Sequence, residues 1–397
     1  MRRVNQSVFL IAPVRTPIGK FGGSLSSLSA PELGALAAKE CIKRAGISPN
    51  QIDEVIFGHA RQAGAGPNPA RQIAYKSGCP ETVPAYTVNK ACASGMKAIV
   101  NAYQAIALGD ADIILAGGTE SMSNTPYLLP KARWGYRLGH SEVVDGMYRD
   151  GFLCPLCGEV MGETAENLAE KYHISRQEAD EYALLSQQRC AAARKNNRFA
   201  DEIVTLEIPD NKGSKIRFDT DEQPKHETTL EGLAKLKPVF RGNGTVHAGN
   251  ASGITDGAAA VLVASEERIS DLPVRPVAKI LDYTVAGVDP KFMGIGPVPA
   301  LQKLLERNKL SLRDVDLIEL NEAFAVQVLA CHREVNFDIE KLNVNGGAIA
   351  LGHPIGCTGT RIVVTLLHEM VKRDATLGLA TLCVSGGMGM TLLVERF

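Results

Sequence analysis

The chain has 397 residues, 45% hydrophobic, 22% charged and only 5% aromatic, with 38 glycines; that length exceeds one ordinary core and predicts two domains, or three with a large insertion. A formal net charge of -1 offers no broad basic field to a nucleic acid. No apolar run reaches the roughly 18 residues of a membrane span, and nine scattered cysteines read as reduced thiols of a cytoplasmic protein.

Met1-Arg2-Arg3-Val4 lacks the apolar core and cleavage site of a secretory leader and reads as the start of a strand. A helix follows Ser29, where Ser29-Ala30-Pro31-Glu32 fits a capping box, and it stops at Gly46. A short strand over 54–57 comes next. A second apolar helix, 96–108, is entered through Ala93-Ser94-Gly95 and leads to a buried strand ending in Gly117-Gly118. The stretch 122–249 differs: it is richer in proline, charge and turns, with helices expected over 162–172 and after Ser175, whose cap partner is Glu178. Its basic cluster, Arg189 to Arg198, reads as a solvated helix face.

The early grammar then returns. Residues 42–57 read IKRAGISPNQIDEVIF and residues 305–320 read LERNKLSLRDVDLIEL, both helix, turn and apolar strand. The helix of 361–371, entered through Thr358-Gly359-Thr360, and the strand ending in Gly386-Gly387 repeat the second unit. This order predicts a duplication: an N-terminal half of residues 1–121 plus 250–272, an inserted region of 122–249, and a C-terminal half of 273–397. Two such α/β halves should pack face to face, with function at the strand-to-helix junctions between them.

Four segments at those junctions carry chemistry. Cys92 lies among small residues where a helix begins; the helix N-terminus favours thiolate over thiol, and its free N–H groups could hold an oxyanion. His353 follows a glycine-rich turn and could take a proton from a nearby cysteine. Cys383 ends an apolar strand before Ser385-Gly386-Gly387, and Asn321-Glu322-Ala323-Phe324 follows the strand of 317–320. Taken singly, each has an ordinary structural reading: a small buried cysteine, a hydrogen-bonded loop histidine, a core cysteine, a helix cap.

Together they resemble the thiolase family. The resemblance runs through Arg15-Thr16-Pro17-Ile18-Gly19-Lys20-Phe21, the Cys92 segment, Gly117 to Ser123, the stretch 249–260, NEAF at 321–324, GGAIALGHPIG at 346–356 and CVSGGMG at 383–389. It implies two duplicated mixed-sheet α/β halves in five layers with an inserted loop domain. The implied reaction is a reversible Claisen condensation of acyl-CoA thioesters, with acyl-CoA and CoA as partners and no further cofactor or metal. Cys92 then matches the nucleophile, His353 its base, and Cys383 the second acid/base. Asn321 with His353 matches the groups on the thioester oxygen, and the backbone N–H groups of Cys92 and Ser385 the other oxyanion site. Ser252 matches a pantetheine contact, Met161 and Phe324 the acyl pocket, and Lys225 the nucleotide end. A dimer, or a tetramer built from dimers, is also implied, with oligomer contacts and CoA binding on the inserted region.

Two positions depart from the family pattern: Ser385 stands where glycine is frequent, and Val160 where short-chain members often carry histidine. Cys154 and Cys157 read as incidental thiols of a covering loop, for no matching second pair lies nearby. A carrier-protein-dependent ketoacyl synthase would share the fold and nucleophile but pair the cysteine with two histidines, against Cys383 and NEAF here.

Overall fold

The computed structural model describes residues 6–209 and 214–397; the strand start expected at Met1 to Val4 lies outside the described residues. The strands that position the site are β1 (Val8–Arg15), β2 (Glu54–Gly58), β3 (Ala85–Val88), β4 (Ile113–Ser121), β5 (Thr255–Ser265), β6 (Ala278–Gly287), β7 (Leu317–Leu320), β8 (Leu377–Val384) and β9 (Met388–Glu395). The helices are α1 (Ala30–Ala45), α2 (Pro69–Lys76), α3 (Ser94–Ala107), α4 (Met161–Lys171), α5 (Arg176–Lys195), α6 (Pro297–Asn308), α7 (Ala325–Val335) and α8 (Ile355–Arg373). None is long and apolar enough among the described residues to cross a membrane.

The pairing makes the internal repeat explicit. In the first half the order is β1-β5-β4-β2-β3, antiparallel for the first two contacts and parallel for the last two. In the second it is β6-β9-β8-β7, antiparallel twice and then parallel. A single parallel bridge from Ile318 to Leu342 stands where β3 stands in the first half. Among the described residues the two sheets join edge to edge through two residue pairs, Phe9 with Lys279 and Leu10 with Ala278, and the Val277 N–H to Leu10 carbonyl bond at 2.8 Å.

Five layers result because these strands are apolar on both faces. Every residue of β4 and β5 is buried. Between the sheets lies one core cluster, with Met96 and Ile99 of α3 and Ile362 and Leu366 of α8 against Ile114, Val261, Leu382 and Leu392. The outer face of the first sheet is covered by α1 and α2 through Leu33, Ala37 and Ile73, and that of the second by α6 and α7 through Leu301, Leu304 and Val328. The Ser29 cap forms as expected, its N–H held by Glu32 at 2.9 Å, and Gly46 closes α1 at φ 67°.

The central helices differ from expectation at their starts. Helix α3 begins at Ser94, and α8 begins at Ile355, so Thr358-Gly359-Thr360 is helix rather than entry turn. Their crossing explains the glycines. A Cβ on Gly359 would sit 2.4 Å from the Met96 backbone nitrogen, and one on Gly95 2.5 Å from Thr360 Oγ1. Only hydrogen at these positions lets the two helix starts touch.

The region between β4 and β5 holds α4 and α5 and lies over the core. Arg15, fully buried at the end of β1, anchors it with Nε to Glu202 at 2.6 Å and both terminal nitrogens to Asp221 at 2.7 and 2.9 Å. The basic cluster of Arg189 to Arg198, which runs from α5 into the turn after it, is not simply a solvated face. Arg189 donates to the Leu342 carbonyl at 2.7 Å, and Arg198 pairs with buried Glu369 of α8. Half of this cluster ties the inserted region to the second half of the chain.

Candidate active site

Cys92 sits in a tight turn between β3 and α3. Asn89 Oδ1 accepts the Ala91 N–H at 2.9 Å, Ser94 Oγ accepts the Lys90 N–H at 2.9 Å, and Ala91 takes φ 46° between them. The turn lifts the Cys92 side chain into a cavity of about 330 Å³. His353 enters the same cavity after Gly352, at φ 97°. Cys383, at the end of β8, and Ser385 line it as well. The left-handed residues after them are Gly386 and Gly387, so serine fits at 385 without strain. Ser385 N–H and the N–H of Cys92 itself both reach the Cys92 sulfur.

Burial governs the electrostatics. Desolvation pushes the Cys92 thiol up, against the opposing pull of the Ser385 N–H and Arg61. The thiolate expected from a helix N-terminus is therefore not the resting form; loss of hydration outweighs the helix field here. His353 is lowered to about 3, first by burial and then by the charges of Arg361 and Arg61. The site rests as a neutral imidazole beside a neutral thiol, both facing one cavity without a direct hydrogen bond. His353 Nδ1 lies 2.6 Å from Thr358 Oγ1, whose own proton goes to the Pro354 carbonyl at 3.0 Å. That arrangement makes Nδ1 the donor and leaves Nε2 as the basic nitrogen. Cys383 is raised well above the ordinary thiol range, by burial first and by neighbouring Cys92 next.

The other expected residues divide. Met161, Ser252 and Phe324 line the cavity. They are woven together: Ser252 N–H donates to the Ala323 carbonyl at 3.0 Å, and His353 N–H to the Gly253 carbonyl at 3.0 Å. Asn321 is fully buried behind the lining, with neither amide atom bonded to protein. Lys225 is outside this cavity; it lines a separate depression with Gln223, Thr228, Leu233 and Gly249. Val160 lines the cavity where the family's histidine is missing. Cys154 is buried and Cys157 half-buried on the loop before α4, and among the described residues no group of three or more His, Cys, Asp or Glu is arranged for a metal.

Two buried glutamates to which sequence reasoning gave no role in the site hold it together. Glu120, at the end of β4, accepts the N–H groups of Ala60 and Arg61, each at 3.1 Å, and of Gly356 at 2.8 Å, with His59 Nδ1 at 2.8 Å. Burial alone would raise its carboxyl, but His59, Arg61 and these donors hold it below the usual range. Glu322, of the NEAF segment, accepts Ser186 Oγ at 2.7 Å, Ile349 N–H at 3.1 Å, and Tyr182 Oη and Asn343 Nδ2, each at 3.0 Å. It joins α5 to the turn that carries His353. A third unforeseen residue is Arg61, whose side chain lines the cavity while only 6% exposed.

Fold and site together define an α/β protein of the two-sheet, five-layer class with two cysteines and a histidine around one cavity. Family profiles for the thiolase N-terminal domain and the thiolase C-terminal domain match residues 8–267 and 274–396, and the chain belongs to the thiolase family. It is 52% identical over 391 residues to an acetyl-CoA acetyltransferase of Pseudomonas aeruginosa, covering 98% of this chain and 100% of that one. Among solved structures it resembles the Bacillus anthracis acetyl-CoA acetyltransferase, with TM-score 0.97, 46% identity and 100% of both chains covered. The human mitochondrial 3-ketoacyl-CoA thiolase in complex with CoA also superposes, with TM-score 0.94, 42% identity and 100% of both chains covered.

Proposed function

We propose that Cys92 carries the acyl group in the reaction of this enzyme. The chain is a thiolase-type acyl-CoA C-acyltransferase, which condenses two acetyl-CoA to acetoacetyl-CoA and CoA or cleaves 3-ketoacyl-CoA with CoA. The observation that carries the assignment is the convergence of Cys92, His353, Cys383 and the Ser385 N–H on one cavity.

The neutral resting pair sets the order of events. Because both charged forms are disfavoured by burial, Cys92 gives its proton to His353 Nε2 only as sulfur attacks the thioester carbon. The N–H groups of Cys92 and Ser385 hold the oxyanion of the tetrahedral intermediate. His353, now protonated, becomes a donor to the thioester oxygen of the second substrate, with Asn321 behind it acting through a water. Cys383 moves the proton at the α-carbon. Each oxyanion donor contributes roughly 2.7–4 kcal/mol, which the enolate of a thioester requires.

CoA enters along the inserted region. Ser252 meets the pantetheine arm, Met161 and Phe324 flank the acyl group, and Lys225 in its own depression takes the nucleotide end as a cation for phosphate. The exposed apolar residues Trp134, Leu138 and Val143 of the same region serve contacts between copies, in a dimer or a tetramer. Thiolysis of a C4 to C16 series of 3-ketoacyl-CoA substrates tests the function and its chain length together. Cleavage of acetoacetyl-CoA by free CoA is expected; no cleavage at any length contradicts the reading.

A further inference from the structure

Away from His353 and Ser385, the cavity wall beside Cys92 is largely apolar but carries one cation. Phe152, Ile254 and Ile355 line that wall around Cys92 and pack with Ala60, the residue before Arg61. Arg61 projects into it from the loop after β2 and lies against Gly151, where an added Cβ would meet the guanidinium at 2.4 Å. Met161, Phe324, Met293 and Cys383 form a second packed group of the lining.

Arg61 is poorly partnered for a buried guanidinium. Among the described residues its Nε has no hydrogen-bond partner, and its one side-chain bond runs from Nη1 to the Asp150 carbonyl at 3.4 Å. No carboxylate of the described residues lies within ion-pair distance of it. The two whose charge reaches it, Glu120 and Asp150, are engaged elsewhere. Glu120 holds His59 and three backbone N–H groups, and Asp150 accepts both Nε and Nη2 of Arg149 at 2.7 and 2.8 Å. A buried cation with donors to spare is costly unless something pairs with it. A planar fork of donors beside an apolar channel matches a carboxylate.

We propose that Arg61 is a specificity-determining residue that receives a carboxylate at the far end of the acyl group, so that the enzyme accepts short 3-oxo-dicarboxylyl-CoA thioesters. The inference rests on Cys92 as the acyl carrier. In thiolysis of 3-oxoadipyl-CoA, Cys92 sulfur attacks C3 and the C2–C3 bond breaks. Acetyl-CoA leaves as its enolate and takes a proton at C2. The succinyl group on Cys92 then passes to the sulfur of free CoA, giving succinyl-CoA and restoring the Cys92 thiol. The succinyl carboxylate faces Arg61 throughout. An uncharged chain of the same length leaves the guanidinium buried and unpaired, which disfavours it.

The test compares kcat/KM for 3-oxoadipyl-CoA with that for 3-oxohexanoyl-CoA, in the wild type and in Arg61→Met and Arg61→Lys. The wild type should prefer the dicarboxylyl substrate, and the preference should fall roughly thirtyfold or more in Arg61→Met. Arg61→Lys, which keeps the charge without the fork, should fall between. A preference ratio unchanged in Arg61→Met overturns the proposal, even if both rates drop together. So does a wild type that cleaves 3-oxohexanoyl-CoA but not 3-oxoadipyl-CoA. Should the variants not fold, inhibition of the wild type decides: succinyl-CoA must bind more tightly than butyryl-CoA, and equal binding refutes the proposal. Failure to cleave either substrate would instead count against the thiolase reading.

Discussion

A cysteine thiol held neutral and an imidazole held neutral divide the work of Cys92 and His353 between rest and reaction. Cys383 is further buried and higher still, and the proposed mechanism uses it at the α-carbon rather than in making the acyl-enzyme. Replacing Cys383 with alanine should therefore leave acetyl transfer from acetyl-CoA to Cys92 intact while lowering thiolysis by about 10²- to 10⁴-fold. Loss of both in parallel would assign Cys383 to the first step instead. The depressed His353 also leaves a mark on stability. Its pKa falls from the ordinary 6.5 to about 3 on folding. Between those values the unfolded chain binds a proton that the folded chain refuses. Its contribution is complete above the unfolded pKa and is lost as pH falls toward the folded one. The wild type should lose more stability than His353→Asn between about pH 7 and about pH 4.5, read from urea midpoints; parallel curves would contradict it. That Cys92, His353 and Cys383 belong together was legible from the small residues and glycines of their segments, but only Cys92 lies at a strand-to-helix junction: Cys383 ends a strand that turns back into β9, and His353 stands between a short helix and α8. The thiolate was misread, because a sequence displays the helix that would stabilise charge but not the burial that opposes it. Arg61 was missed for the converse reason: nothing in His59-Ala60-Arg61-Gln62 distinguishes a buried guanidinium from a surface one.

At the scale of elements, the site is assembled where α3 and α8 meet head to head. Gly95 and Gly359 permit the approach, and Glu120 and Glu322 fasten the loops on either side of it. The glycines and the repeated helix-turn-strand grammar predicted the two central helices, but the start of α8 was set six residues late. Gly359 read as a turn residue, whereas the crossing demands it inside a helix. The role of Glu322 was likewise hidden. Its four partners come from Tyr182, Ser186, Asn343 and Ile349, which only the folded chain brings together. Glu322→Gln keeps the shape but exchanges acceptors for a donor that faces N–H and O–H groups. It should lower stability by about 1–3 kcal/mol and loosen the His353 turn, so that kcat falls while the fold persists. Thermal unfolding with kinetics on the same preparation checks this, and an unchanged melting temperature would remove Glu322 from the scaffold.

The whole molecule is two copies of one α/β unit, with an inserted region lying across their junction. The echo of residues 42–57 in 305–320 announced the copy, whereas the five layers were implied only by the family resemblance; the burial of every residue of β4 and β5 shows why they form. What the repeat could not disclose was how the insertion is fastened. Buried Arg15 ties it to β1 through Glu202 and Asp221, and Arg198 ties it to α8 through Glu369. The division of labour follows from that frame: the first copy presents Cys92, the second presents His353 and Cys383, and the insertion closes the channel over them. The central claim is that Cys92 alone carries the acyl group, and acid quenching after brief incubation with acetyl-CoA, followed by mass spectrometry of the peptides, tests it most directly. One acetyl group should appear on the Cys92 peptide, disappear when free CoA is added before the quench, and be absent from Cys92→Ala. Acetylation of Cys92→Ala to the same extent, or an acetyl group on Cys92 that free CoA does not remove, would contradict the account.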